Sequence, residues 1–184
     1  MNGIDLLFIL ILLGGLALGF FQGTIKLLIA IIAFYVGIIL ASLYFQVVGN
    51  FFRVRFRSSL EVSQITAFAV LLLVSFLLLT VAGLYTFRYA RVPASLDFVD
   101  RIVGTLLGLL LGTLFAGMLA VLLQDLFISR DVAGSVSFPI MQSFQRGVRS
   151  SFLVSFFGNQ ILPLIYASMR PVLPRESDFI FRVR

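Results

Sequence analysis

Carboxylates are the side chains of this sequence best suited to chemistry, because histidine and cysteine are both absent from its 184 residues. Two aspartates brought together inside a membrane could hydrolyse a peptide bond, but Asp5, Asp100 and Asp125 all lie at or beyond the ends of long apolar segments. A serine nucleophile would lack its usual histidine base, and zinc or non-haem iron would lack their commonest ligands. No glycine-rich loop ends in Gly-Lys-Ser or Gly-Lys-Thr, as a P-loop would. We therefore expect no enzyme, no metal site and no cofactor.

Ion-coupled transport usually requires ionisable side chains inside the membrane-spanning segments. The apolar segments are uncharged, and the polar side chains in their interiors that could contact a substrate are Ser42, Gln46, Ser75, Thr80, Thr105 and Thr113. Hydroxyls in a helix more often donate to a carbonyl of their own helix than bind a substrate. A transporter is therefore less well supported than a protein that acts through packing.

The composition places the chain in a membrane. Hydrophobic residues make up 60% of it and charged residues only 12%, with a mean hydropathy of +1.11. Soluble domains carry about 25% charged residues. Fourteen basic and eight acidic residues give a net charge of +6, but the basic residues lie between and after the apolar segments. Such residues orient helices and meet lipid headgroups, so the lipid bilayer is the expected partner and nucleic acid is not.

Four apolar segments are each long enough to cross a bilayer as a helix. We place these spans near residues 4–21, 27–48, 65–84 and 102–123, with residues 22–26 as a tight turn that makes the first two an antiparallel hairpin. Residues 1–5 contain no lysine or arginine, so the first segment is predicted to be a retained span rather than a signal peptide. The predicted fold is an all-α membrane protein with a four-helix transmembrane domain over residues 1–123.

Residues 124–184 form a second, more polar part that we predict to contain an amphipathic helix lying in the interface or against the bundle. Pro163 interrupts its helical pattern, and residues 171–184 read as extended or disordered. The apolar side of this helix is predicted to carry Phe152, Leu153, Phe156, Phe157, Ile161 and Leu164, and the polar side Ser151, Ser155 and Asn159.

Small residues recur every fourth position in three of the spans. Such rows let helices approach closely in lipid, where burial of apolar surface drives little association. We favour packing within one chain over a dedicated oligomerisation face. The rows are Gly15, Gly19 and Gly23; Ala33, Gly37 and Ala41; and Gly104, Gly108 and Gly112, extended by Ala116 and Ala120.

Charged residues at the span ends have simple structural explanations. Asp5 and Asp100 each open a span and can cap it at the positive end of the helix dipole. Arg101 can reach headgroups or pair with a neighbouring carboxylate. Ten of the fourteen basic residues lie on the side of both termini, and four, including Lys26, lie on the other. The positive-inside rule therefore favours cytoplasmic termini, which puts Asp5 and Arg101 on opposite faces.

The order of these features resembles the colicin V production protein (CvpA) family of small bacterial inner-membrane proteins. Three places carry the resemblance: Ile4-Asp5, the turn sequence from Gly19 to Lys26, and Asp100-Arg101-x-x-Gly104-x-x-x-Gly108-x-x-x-Gly112. The turn is similar to the Arg-Gly-x-x-Arg-Glu of the family. Gln22 stands where the family often has arginine, Lys26-Leu27 stands in place of Arg-Glu, and Leu111 precedes Gly112 where Arg-Gly is common.

The resemblance implies a four-span inner-membrane protein linked to toxin production or export, or to envelope homeostasis, with no known catalytic site. Related four-span domains also occur as membrane modules of periplasmic serine proteases. Our leading hypothesis is a non-enzymatic protein that acts through contacts with other membrane proteins. A pore or transporter component formed by homo-oligomerisation, and an accessory subunit of a larger membrane complex, remain as alternatives.

Overall fold

The computed structural model describes residues 2–56, 59–89, 94–124 and 146–161, together with positions 163 and 167. Within those residues all regular structure is helical. Three helices are long and apolar enough to cross a membrane, which confirms the predicted all-α membrane fold. They are α1 (Gly3–Phe56), α2 (Leu60–Thr86) and α3 (Asp97–Gln124), with a 3-10 turn at Ala94–Leu96 before α3 and a short helix, α4 (Phe152–Phe156), that continues into a π-helical turn at Phe157–Ile161.

Helix α1 contains the first two predicted spans and reverses direction between them at Gly23. Its first arm, residues 3–22, runs antiparallel to α3, because Gly15 lies at Gly108 and Gly19 lies at Gly104. Its second arm, residues 24–56, starts beside Asp100 and reaches Phe115 of α3 with Phe34, so it runs back along α3. We predicted a turn over residues 22–26, but a single non-helical residue makes it.

That single residue must be glycine. Gly23 has φ 77° and ψ 176°, a backbone conformation that is essentially restricted to glycine because a Cβ atom would clash with the backbone. The helical hydrogen-bond pattern therefore resumes at once on either side of it, and the hairpin has almost no loop.

Helix α2 packs antiparallel against the second arm of α1. Gly83 faces Ile29 at one end, Gly37 faces Leu72 and Phe76 in the middle, and Gly49 faces Gln64 at the other end. The helix begins after Ser59, whose hydroxyl accepts from the N–H of Val62 at 3.4 Å. Ser59 therefore satisfies one of the free N–H groups of the first turn.

Aromatic rings fill the space between the second arm, α2 and α3. Phe34 is fully buried, with its ring centroid 4.7 Å from that of Phe115 and 6.2 Å from that of Phe76. Phe76 and Phe115 also meet edge to face at 4.9 Å. In lipid such packing stabilises through dispersion and ring geometry rather than through escape from water. The outer face of α2 is apolar and open, with Leu78 and Val81 each 66% exposed, as expected for a surface that meets acyl chains.

The C-terminal segment packs against the first arm and α3. Of its predicted apolar side, Leu153, Phe157 and Ile161 pack there, whereas Phe152 is 73% exposed and Phe156 42%. Of its predicted polar side, Ser151 is only 3% exposed, and its hydroxyl donates to the buried carboxylate of Asp5. The buried cluster formed there comprises Ile4, Phe8, Ala116, Ala120, Leu123, Val148, Val154 and Phe157.

Parts of the second predicted domain lie outside the described residues, namely 125–145, 162, 164–166 and 168–184, which include Leu164 and the predicted tail at 171–184. Residues 146–161 attach to the transmembrane bundle rather than standing apart from it. The division of the chain at residue 123 stays a prediction.

Candidate functional site at the Gly23 turn

Glycines of the first arm and of α3 form a continuous backbone-to-backbone contact, here called the glycine seam: Gly15, Gly19, Gly104, Gly108 and Gly112. A Cβ atom added to Gly15 would lie 2.5 Å from the carbonyl oxygen of Gly108, and one added to Gly104 would lie 2.5 Å from that of Gly19. The carbonyls approach from both sides, which is the arrangement in which Cα–H groups donate weakly to carbonyl oxygens. Two of the three predicted rows of small residues therefore pack against each other within one chain.

The third row has a different partner. Gly37 lies 3.5 Å from Leu72 and Phe76 of α2, measured from an added Cβ, which is ordinary van der Waals contact. Toward the C-terminal end of α3 the glycine seam loosens, because the nearest atom to an added Cβ of Gly112 is the carbonyl oxygen of Ile11 at 3.3 Å. Ala116 and Ala120 then continue the row with no exposure to solvent.

Asp100 closes the Gly23 end of the glycine seam. Its Oδ1 accepts from the backbone N–H of Thr24 at 2.9 Å, and the Thr24 hydroxyl donates to the Asp100 carbonyl at 3.1 Å. We expected Asp100 to cap the fourth predicted span, to which it belongs, but its carboxylate caps the second arm of α1 instead. The physical reason is that Gly23 exposes the first N–H groups of the resumed helix, and these favour an anionic acceptor.

Arg101 lies on the outer side of the same turn. Its Nη2 atom is 3.0 Å from Oδ2 of Asp97, and its Nε donates to the same oxygen at 3.2 Å. The guanidinium carbon lies 5.6 Å from the ring centroid of Phe20. Arg101 is thus held between a carboxylate and an aromatic ring, while Lys26, on the first turn of the second arm, is exposed.

Two adjoining depressions open at this end of the bundle. An apolar groove of about 470 Å³ runs along α3, and a more polar pocket of about 160 Å³ opens at the turn. Phe20, Asp97 and Arg101 line both. The groove is completed by Phe98, Ile102, Thr105 and Leu106, and the pocket by Phe21, Gln22, Gly23 and Asp100. Two of the three sequence segments that carried the family resemblance, the turn and the start of α3, thus meet in space, which spacing alone did not reveal.

Asp5 lies at the opposite end of the first arm and binds the C-terminal segment. The carboxylate is only 8% exposed. Its Oδ1 accepts from the Ser151 hydroxyl at 2.6 Å and from the N–H of Leu153 at 3.2 Å, and its Oδ2 accepts from the N–H of Asn2 at 3.2 Å. Asp5 therefore caps its own helix, as a first-turn carboxylate can, and the start of α4 as well.

Sequence reasoning missed the partners of Asp5. Ser151 precedes a short apolar run and accepts from the N–H of Val154 at 3.2 Å, so the cap itself was readable as a serine before a helix. Gln124, which donates to the carbonyl of Val154 at 3.0 Å, carried no such signal. Contacts between residues some 30 to 150 positions apart cannot be read from local spacing.

The intramembrane hydroxyls divide into two groups. Thr105 donates to the carbonyl of Arg101 at 2.7 Å and Thr113 to that of Leu109 at 2.8 Å, as we expected for hydroxyls in helices. The buried hydroxyls of Ser42 and Thr80 have no hydrogen-bond partner among the described residues. No group of three acidic or other metal-ligating side chains occurs in the described part of the chain.

Comparison with known proteins identifies the family. No curated protein and no solved structure matches the chain significantly. The sequence profile described as colicin V production protein matches residues 4–161, a stretch that includes Asp5, the Gly23 turn, the glycine seam and α4. Because the match covers most of the 184 residues, the chain belongs to the colicin V production protein family.

Proposed function

We propose that this chain is a non-enzymatic inner-membrane protein that acts in toxin production, export or envelope homeostasis through contacts with other membrane proteins. The supporting observation is that its aspartate carboxylates accept hydrogen bonds from helix ends of the same chain. Asp5 and Asp100 mark the family motifs, and the carboxylate of each caps a helix within the chain, Asp5 with three hydrogen bonds and Asp100 with one. Both carboxylates thus stabilise the fold, and we infer that they maintain a shape that partners recognise.

The proposed orientation places both termini in the cytoplasm. The amino terminus and the C-terminal segment meet at one end of the bundle through Asn2 and Ser150, whose side chains lie 2.7 Å apart. Exposed Arg53 and Arg55 belong to the same end, since the second arm runs back toward it. This distribution supports a cytoplasmic position by the positive-inside rule. A reporter fused after Arg184 that is active only outside the cytoplasm would contradict the orientation.

Affinity purification from native membranes in mild detergent tests the central proposal. Tagged wild-type chain should retain a reproducible set of membrane partners and restore toxin export to cells that lack it. The Gly108→Leu variant, which breaks the glycine seam, should lose both. Full restoration of export by a variant that retains no partner would contradict a role through contacts.

A pore or transporter component is the second candidate, supported by the unpartnered buried hydroxyls of Ser42 and Thr80. Such groups cost free energy in an apolar setting, and a polar path formed on oligomerisation would give them hydrogen-bond partners. Flux of ions or small solutes into vesicles containing the purified chain separates the two candidates. Flux that is lost in the Ser42→Ala variant would favour the pore, and absence of flux would leave the partner-binding role.

A further inference from the structure

The groove beside the Gly23 turn combines a charged end with an apolar channel. Asp97 and Arg101 lie at the charged end, and Ile102 and Leu106, which are 47% and 62% exposed, lie along the apolar part of α3. No element in the described part of the chain covers it. The groove lies at the start of a membrane-spanning helix, where lipid headgroups meet acyl chains.

The side chains at the charged end are positioned by contacts within the chain and still have donors and acceptors for a ligand. Arg101 is positioned by a hydrogen bond and an ion pair with Oδ2 of Asp97, and its guanidinium lies over the Phe20 ring. These described contacts use its Nε and Nη2 atoms, and a guanidinium carries five N–H donors in a planar fork that suits phosphate. Asp97 is 62% exposed, so its carboxylate can accept from a ligand while it holds Arg101.

We propose that this groove binds a single zwitterionic phospholipid whose headgroup carries both a phosphate and a primary ammonium. The phosphate binds Arg101, the ammonium donates to Asp97, and one acyl chain follows Ile102 and Leu106. The positive charge of Arg101 beside the negative charge of Asp97 favours a headgroup that carries both a phosphate and an ammonium. An anionic lipid would leave its negative charge beside Asp97 and the neighbouring Asp100, whereas a quaternary ammonium has no N–H to donate.

The absence of tryptophan from the chain makes this proposal directly measurable. Phe98 lines the groove and is 76% exposed, so the Phe98→Trp variant places one fluorophore there with little change in packing. Phe51→Trp is the matched control, because Phe51 is 66% exposed on the second arm of α1 and does not line the groove. Both variants are reconstituted in phosphatidylcholine vesicles.

Brominated phosphatidylethanolamine, phosphatidylglycerol and phosphatidylcholine are then added separately as quenchers at equal mole fraction. In Phe98→Trp, the ethanolamine lipid should quench with an apparent affinity about tenfold above that of the choline lipid, the gain expected from one charge-assisted hydrogen bond. In Phe51→Trp the three lipids should quench equally. Equal quenching by all three lipids in Phe98→Trp, or a preference for the glycerol lipid, would overturn the proposal.

Charge variants in the Phe98→Trp background identify the contacts. Arg101→Gln should weaken quenching by all three lipids, because each carries the phosphate that Arg101 binds. Asp97→Asn should abolish the preference for the ethanolamine over the glycerol lipid while binding to Arg101 persists. Arg88→Gln, which removes an exposed charge that stacks on Tyr85 and Tyr89 and does not line the groove, should change nothing. Unchanged selectivity in Asp97→Asn would contradict recognition of the ammonium even if Arg101→Gln failed to fold.

Discussion

An aspartate caps a distant helix at each end of the first arm of α1, but the two ends differ in what surrounds it. At each end one aspartate accepts the N–H of a residue far away in sequence, Thr24 for Asp100 and Leu153 for Asp5. At the Asp5 end, large apolar side chains such as Phe8 and Phe157 form a buried cluster, with their ring centroids 5.6 Å apart. At the Asp100 end, glycines bring the backbones together, and charged side chains remain exposed on the outer surface.

The Asp5 end stabilises the fold, whereas the Asp100 end also presents a surface that can bind a ligand. The Asp5 end is closed, because its carboxylate is buried and two of its three hydrogen bonds join the C-terminal segment to the bundle. The Asp100 end contains the turn, the glycine seam and, beside them, the groove with Arg101. Substitutions at the Asp5 end should therefore loosen the attachment of the C-terminal segment. Substitutions at the Asp100 end should disturb the arrangement of all the helices.

Gly108→Leu should have the largest effect. An added Cβ already lies 2.8 Å from the Cα of Gly19, so a larger side chain forces the first arm away from α3 at a cost of about 3 kcal/mol or more. The measurement is unfolding in mixed micelles together with size-exclusion profiles. Gly14→Leu is the control, since nothing lies within 4 Å of its added Cβ. Equal stability of the two variants would mean that the glycine seam does not form.

Gly23→Ala should be next in size. An alanine at φ 77° and ψ 176° is strained, and its Cβ would collide with Oδ2 of Asp100. We expect a loss of about 2 to 3 kcal/mol in the free energy of unfolding. Gly3→Ala, which has open space and lies in the first turn of the same helix, should be neutral. A Gly23→Ala variant as stable as Gly3→Ala would rule out the sharp reversal.

Asp5→Ala should release the C-terminal segment without disturbing the turn. It leaves the Ser151 hydroxyl and the Leu153 N–H without their acceptor, at a cost of about 2 kcal/mol. Hydrogen exchange should rise at residues 152–157 and stay unchanged at Thr24. Asp100→Ala should give the reverse pattern. Exchange that rises equally at both places in either variant would show that the two ends are not independent.

Asp97→Ala should have the smallest effect on stability. Its ion pair with Arg101 is exposed, with side chains 62% and 49% accessible, so its removal should change the free energy of unfolding by less than about 1 kcal/mol. Unfolding in mixed micelles checks this, with Arg88→Gln for comparison. A large loss in the free energy of unfolding would show that Asp97 stabilises the fold, which would contradict a role confined to ligand binding.

Local pattern predicted much of this architecture. Long uncharged runs specify membrane helices because unpaired backbone groups are too costly in lipid, and this requirement holds wherever a segment sits in the fold. Glycines at every fourth position specified helix faces that allow close approach, and first-turn aspartates specified carboxylates suited to capping. These properties depend on neighbours within a few residues, so the sequence alone determines them.

Only the tertiary structure shows which residues within the chain contact one another. Nothing in the spacing showed that Gly19 faces Gly104, that Asp100 caps the helix starting at Thr24, or that Ser151 rather than Phe152 turns toward the bundle. The start of α4 is instructive, because Phe152 of the predicted apolar side is exposed while Ser151 of the predicted polar side is buried against the Asp5 carboxylate. Which donors satisfy a buried charge depends on where distant segments meet, and that is set by the packing of the whole bundle rather than by any local run of residues.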